Sequence, residues 1–167
     1  MENTGDQQTI TMSEIMPPER ANFKCNIHGG YLFLLLDRVA YACAARYCGS
    51  SVVTLSVDIV IFKQPIYVGE LVTFHANVNY VGRTSLEIGV KVIAENLMTG
   101  EIRHTNSCYL TMVAVDENGK PQAVKPLACK TPEQKRRFEE GKLRREMSEF
   151  FQDEHQKRKA HLRKKLG

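Results

Sequence analysis

Apolar and polar positions alternate along the chain in two ways. From Tyr31 to Tyr47 the residues are apolar nearly all round a helical wheel, from Leu32-Phe33-Leu34-Leu35-Leu36 through Val39-Ala40 to Ala42-Cys43-Ala44-Ala45. A helix without a polar face needs cover on most sides. Gly29-Gly30 opens this one, and Cys48-Gly49-Ser50 closes it with glycine near its end. Ahead of it, Thr9–Met16 alternates as a first strand, and Pro17-Pro18 ends that strand because neither proline can donate to a ladder. Four runs of strand character follow the helix. Ser51–Lys63 puts Val53, Leu55, Val57, Ile59 and Ile61 on one face, opposite Thr54, Ser56, Asp58 and Phe62. Glu70–Val81 sets Val72, Phe74, Ala76, Val78 and Tyr80 against Thr73, His75, Asn77 and Asn79. Thr84–Asn96 and Glu101–Val115 complete the set, with turn chemistry at Gly82-Arg83, Met98-Thr99-Gly100 and Asp116–Pro121.

Sequential strands joined by short turns are antiparallel neighbours. One long apolar helix and one curled antiparallel sheet solve each other's burial problem if the sheet wraps the helix. The predicted class is α+β, a hotdog fold with a long antiparallel sheet around one central helix. A C-terminal helical extension follows. Thr131 can cap it, Pro132 fits its first position, and Gln134 completes a capping box. Leu143, Met147, Phe150 and Phe151 form an apolar stripe over Thr131–Phe151, suited to docking on the body or on another subunit. Beyond Gln152 the sequence is too polar to bury and predicts a solvated helix. The expected organisation is a flexible N-terminus over 1–8, the hotdog domain over 9–128 and a basic extension over 129–167.

Composition narrows the picture only a little. A chain of 167 residues holds one domain with a real core plus an extension. Apolar content of 43% and charged content of 25% are ordinary for a globular protein. No apolar run reaches the ~20 residues that span a bilayer, and the first residues have neither a basic region nor an apolar signal core. Five cysteines without Cys-x-x-Cys spacing predict reduced thiols, a cytoplasmic location and no metal site. The net charge of +4 is unevenly placed: from Lys130 onward there are 13 Lys or Arg against 7 Asp or Glu, so the preceding part is slightly acidic. Acids are interspersed in the tail and no aromatics accompany its final basic run, so nucleic acid is not an expected partner.

Asp37 stands out against this background. On a helix its neighbours at three and four residues are Phe33, Leu34, Ala40 and Tyr41, none of them a cation. Aspartate is rarely buried without a partner. It must therefore face a water-filled cleft or meet a polar group from another element.

Asn22, His28-Gly29-Gly30, Asp37, Thr54, Val57-Asp58, Phe62, Pro65, Gly69 and Gly82-Arg83-Thr84-Ser85 occur in an order that resembles the hotdog acyl-CoA thioesterases. The resemblance is strongest to the hexameric bacterial acyl-CoA hydrolases and the cytosolic long-chain hydrolase of animals. Val113-Ala114-Val115-Asp116 and Asn118-Gly119-Lys120-Pro121 extend it, so that it covers about residues 10–145. It departs at Cys25, where the family usually has glycine.

The resemblance implies hydrolysis of fatty acyl-CoA to free fatty acid and coenzyme A, without a separate cofactor, in a homo-oligomer. A dimer would be the minimal active unit and a hexamer, as a trimer of dimers, the usual assembly. Asn22 and Asp37 match the family's catalytic asparagine and aspartate. Asp37 would serve as general base or nucleophile. Asn22 and the free N–H groups at Gly30 and Tyr31 would polarise the thioester oxygen. At ~1.5 Å rise per residue, Asp37 lies roughly 10 Å along the helix from Gly30, so the two would come from different subunits. His28, Gly29 and Tyr31 would line the substrate site. Arg83, with Thr84 and Ser85, would hold coenzyme A phosphate, and Lys120 is a second candidate. The alternative reading is a hotdog protein that binds acyl-CoA without cleaving it.

Overall fold

The computed structural model describes residues 7–58 and 60–166. Two compact units divide the chain, Met1–Leu127 and Ala128–Gly167. In the first, β1 (Thr9–Ile15) and a 3-10 turn at Pro18–Arg20 lead to α1 (Gly29–Cys48). Then come β2 (Val52–Val57), β3 (Leu71–Val81), β4 (Ser85–Glu95) and β5 (Ile102–Ala114). All pairings are antiparallel, and the sheet order is β1-β3-β4-β5-β2. The architecture is the α+β hotdog fold, as the pattern predicts.

The helix lies on one face of the sheet because both carry apolar positions at the right period. Leu32, Leu35, Leu36, Val39, Ala40, Cys43 and Ala44 of α1 are buried, together with Phe74, Ile88, Leu110 and Met112 of the sheet. Each fully buried aliphatic or aromatic side chain removed from water contributes about 1.5–3 kcal/mol. α1 ends at Gly49, which takes the left-handed conformation (φ 66°) that glycine adopts without strain. The opposite side of the helix is uncovered: Phe33, Leu34 and Tyr41 remain exposed around Asp37 and Arg38. The all-round cover expected for this helix is thus incomplete among the described residues of the first unit.

Two expectations for the second strand are corrected. It does not pair with its neighbour in sequence, β3, but crosses to the far edge and pairs with β5. The connection after it is too long for a hairpin and carries the chain from one sheet edge to the interior of the sheet. A bulge between Thr54 and Ser56 also breaks the expected alternation. Val52, Thr54 and Val57 pair with Ala114, Met112 and Leu110, whose buried side chains belong to the helix-facing core. Val53 and Leu55 are exposed. A bulge inserts one residue and so swaps the faces beyond it. Regular pairing stops at Val57, although Asp58 N–H and Lys63 N–H still donate to the Tyr109 and Thr105 carbonyls at 3.0 and 3.1 Å. Ile59 lies outside the described residues, as do residues 1–6. Gln8, expected in the flexible N-terminus, accepts from Val78 N–H at 2.8 Å.

In the second unit, α2 is one continuous helix, Pro132–Leu166. Its capping box is formed as the sequence predicts: Gln134 N–H donates to Thr131 Oγ1 at 3.2 Å, and Thr131 N–H donates to Gln134 Oε1 at 3.0 Å. The stripe residues Leu143, Met147, Phe150 and Phe151 are exposed. Glu133 bonds Arg136 and Arg137, and Arg145 bonds Glu149, which supports the helix locally.

Candidate active site

Three parts of the chain position the candidate groups. The first is the loop before α1. Asn22 N–H donates to the Asn26 carbonyl at 2.7 Å, and Ala21 pairs with Ile27. Asn22 Oδ1 accepts from Lys24 N–H (2.9 Å) and Asn26 N–H (3.2 Å). Two backbone donors on one oxygen fix which end of the amide is which. They leave the Asn22 NH2 group without an acceptor among the described residues. Cys25, where the family usually has glycine, takes positive φ (58°) to close this loop. That conformation is uncommon for a residue other than glycine.

The second part is the helix start. His28 N–H donates to the Arg20 carbonyl at 2.9 Å, and the His28 carbonyl accepts from Tyr31 and Leu32 N–H at 3.0 and 3.2 Å. The Tyr31 N–H, expected to be free, is therefore committed to the turn. Its hydroxyl donates to Glu14, a bond that holds the phenol above its usual pKa, and Arg20 covers its ring at 4.9 Å. Tyr31 thus ties the helix start to β1. Gly29 and Gly30 N–H have no acceptor among the described residues, as first-turn donors lack intrahelical partners. They lie at the positive end of the helix dipole. The two glycines differ in surroundings. A Cβ on Gly29 would come within 3.3 Å of the Phe62 ring, whereas Gly30 faces open space.

The third part is the Asp37–Thr54 pair. Thr54 Oγ1 donates to Asp37 Oδ1 at 2.7 Å. Thr54 lies on the same face of β2 as buried Val52, opposite Met112, and so supplies the polar group from another element that Asp37 requires. Asp37 is half-buried, its other oxygen has no partner among the described residues, and no cation pairs with it there. A carboxylate held by one hydroxyl, with a second oxygen open, can orient a water and take its proton. Thr54 appears among the sequence motifs without a role. The signal that could have found it was the unmet need of Asp37 for a donor.

Arg83, Thr84, Ser85 and Lys120 gather elsewhere. The Thr84 and Arg83 carbonyls accept from Ala114 and Val124 N–H, and Lys120 closes the turn on Asp116. Both features sit where β3 ends and β5 finishes. The helix start lies at the other end, where Ile27 N–H reaches the Ile66 carbonyl ahead of β3. One chain therefore separates the phosphate candidates, the carboxylate and the helix-start donors along its length.

A sheet-backed central helix with a glycine-led start is the hotdog architecture. Comparison with known proteins agrees. The profile of the thioesterase superfamily matches residues 26–101. Protein VdlD of Helicobacter pylori is 53% identical over 87% of this chain and 83% of its own. A solved apo-hexameric acyl-CoA thioesterase is 38% identical, with a TM-score of 0.80 over 83% of this chain and 88% of its own. An acyl-CoA hydrolase from Staphylococcus aureus, solved with butyryl coenzyme A and coenzyme A, is 27% identical with a TM-score of 0.83 over 92% and 94%. Structures of that enzyme include alanine variants at one asparagine, one aspartate and one threonine, spaced 15 and 17 residues apart. Asn22, Asp37 and Thr54 have the same spacing here. The chain belongs to the hotdog acyl-CoA thioesterase family.

Proposed function

We propose that this protein hydrolyses fatty acyl-CoA to free fatty acid and coenzyme A in a site shared between two subunits. Asp37 of one subunit takes a proton from water as the water oxygen attacks the thioester carbonyl carbon. The carbonyl oxygen becomes an oxyanion, met by the Gly30 N–H and the Asn22 NH2 group of the partner. Donors preset for the developing charge are worth about 3–4 kcal/mol each by comparison with other oxyanion holes. The C–S bond then breaks, and the departing thiolate recovers the proton from Asp37. Thr54 holds the carboxylate in the orientation this transfer requires. Coenzyme A is part of the substrate, and the proposed steps use only water and the chain's own groups.

The observation that carries this reading is the Thr54–Asp37 hydrogen bond, which leaves the second carboxylate oxygen open on a helix face that the described residues of its own unit leave uncovered. The exposed Phe33, Leu34 and Tyr41 of that face offer apolar area suited to a second copy, and β2 beside it is an edge strand of the sheet. A dimer through this surface is the minimal active unit, and the hexameric relative supports a further assembly of dimers. Arg83, Thr84 and Ser85 contact the coenzyme A phosphates, with Lys120 nearby. His28 and Gly29 line the approach to the thioester. The free cysteines suit a reducing cytoplasm. Thiol release from palmitoyl-CoA and shorter acyl-CoAs, wild type against Asp37→Ala, tests the reading. Equal rates would eliminate Asp37 from the chemistry. Release by neither protein, with acyl-CoA still bound, would favour a binding protein.

A further inference from the structure

The loop bearing Asn22 rests on a second segment, 65–67, and that segment is gripped by an ion pair outside the catalytic set. Glu70 is 4% exposed. Its Oε1 accepts from the Arg103 guanidinium, and its Oε2 accepts from Tyr67 N–H at 2.9 Å. Arg103 Nη1 donates to the Pro65 carbonyl at 3.0 Å, and its guanidinium lies 5.4 Å from the Tyr67 ring centroid. One carboxylate and one guanidinium thus hold the backbone on both sides of Ile66.

That held segment is the template for the site loop. Ile27 N–H donates to the Ile66 carbonyl at 2.8 Å, and Asn26 bridges Tyr67. Asn26 in turn exchanges hydrogen bonds with Asn22, at 2.7 Å to its own carbonyl and 3.2 Å to the Asn22 side chain. Burying a charged pair is costly, and apolar side chains would fill the same space at less expense. What Glu70 and Arg103 add is two directional holds on backbone groups, passed through 65–67 and 26–27 to the Asn22 amide.

We propose that Glu70 and Arg103 are positioning residues for hydrolysis, acting through the Asn22 loop and touching no substrate. This rests on the reading that Asn22 takes part in the reaction. Displacements of about 1 Å in an active site can cost up to a hundredfold in rate, so partial loosening should cost about tenfold. Glu70→Gln keeps the shape and removes the charge. It is expected to lower kcat about tenfold, with KM for acyl-CoA unchanged within about twofold. Arg103→Lys, which keeps the charge but not the two-armed hold, is expected to lie between wild type and Arg103→Met. Thermal unfolding and oligomer size confirm that each variant is folded.

The deciding measurement is the double-mutant cycle with Asn22→Ala. In that background Glu70→Gln and Arg103→Lys should change the residual kcat by less than about twofold, because the group they position is gone. If Asn22→Ala is itself severely impaired and the second substitution still costs its full factor, the pair supports only the fold and the positioning claim is overturned. A rise in KM at constant kcat would overturn it as well. If Asn22→Ala leaves kcat unchanged, the role of Asn22 fails first and the positioning claim falls with it.

Discussion

Thr54→Val removes one hydroxyl and keeps the shape of the side chain. In the structure that hydroxyl donates to Asp37 Oδ1 at 2.7 Å, the sole hydrogen bond to this carboxylate among the described residues. Hydrogen bonds to charged groups contribute about 1.5–3 kcal/mol. If the bond holds Asp37 in its reactive orientation, its loss at about 1.4 kcal/mol per decade lowers kcat by about ten- to a hundredfold. Stability behaves differently. Thr54 is exposed in the single chain, water can replace the lost donor, and unfolding free energy should change by less than about 0.5 kcal/mol. Thr54→Ser keeps the donor and should keep most of the rate. The assay is thiol release from an acyl-CoA, read continuously with a thiol reagent, beside chemical denaturation of the same samples. A Thr54→Val rate within twofold of wild type would refute the orienting role. A loss of rate matched by a loss of folded protein would refute it too.

Other perturbations separate fold from function. Gly30→Ala meets open space, and alanine favours a helix over glycine by about 1 kcal/mol, so unfolding should shift upward or stay level while kcat falls because the donor is shielded. Gly89→Ala should do the reverse of this pattern. Its Cβ would fall 2.3 Å from the Asn79 amide nitrogen, which bonds Glu87, and displacing that buried pair should cost about 1–3 kcal/mol in denaturation. Arg83→Ala should raise KM for acyl-CoA about tenfold or more with kcat little changed, as loss of a charged hydrogen bond to phosphate would. Burial pushes the Cys108 thiol up to about 12, so it stays protonated through neutral and mildly alkaline pH. Alkylation at pH 8 followed by mass spectrometry should label exposed Cys25 and spare Cys108.

Much of the fold was legible because its signals are local. The glycine-flanked apolar helix, the Thr131–Gln134 capping box and the alternation of Glu70–Val81 each depend on residues a few positions apart. Asp37 was legible for the opposite reason, as a charge without a local partner. Features that depend on long-range pairing were not. The pairing that sets Thr54 opposite Met112 on the helix side joins β2 to β5, more than fifty residues later in the chain. Thr54 shares a face with buried Val52, opposite the apolar but exposed Val53 and Leu55, so the alternation gives no sign that it points at the helix. The crossing of β2 to the far edge is not legible because its pairing with β5 leaves no local pattern. The Glu70–Arg103 pair spans 33 residues and gives no pattern, since Arg103 reaches the 65–67 segment from a distant strand. The commitment of Tyr31 N–H to the His28 carbonyl was missed because the helix starts two residues before the expected first position.

The shared site can be tested by mixing two inactive subunits. Co-expression of Asn22→Ala and Asp37→Ala chains lets them assemble at random. If each site takes Asn22 from one subunit and Asp37 from the other, about a quarter of the sites are intact and a similar share of wild-type activity returns. Activity no greater than the sum of the two variants alone would contradict a site built across the interface.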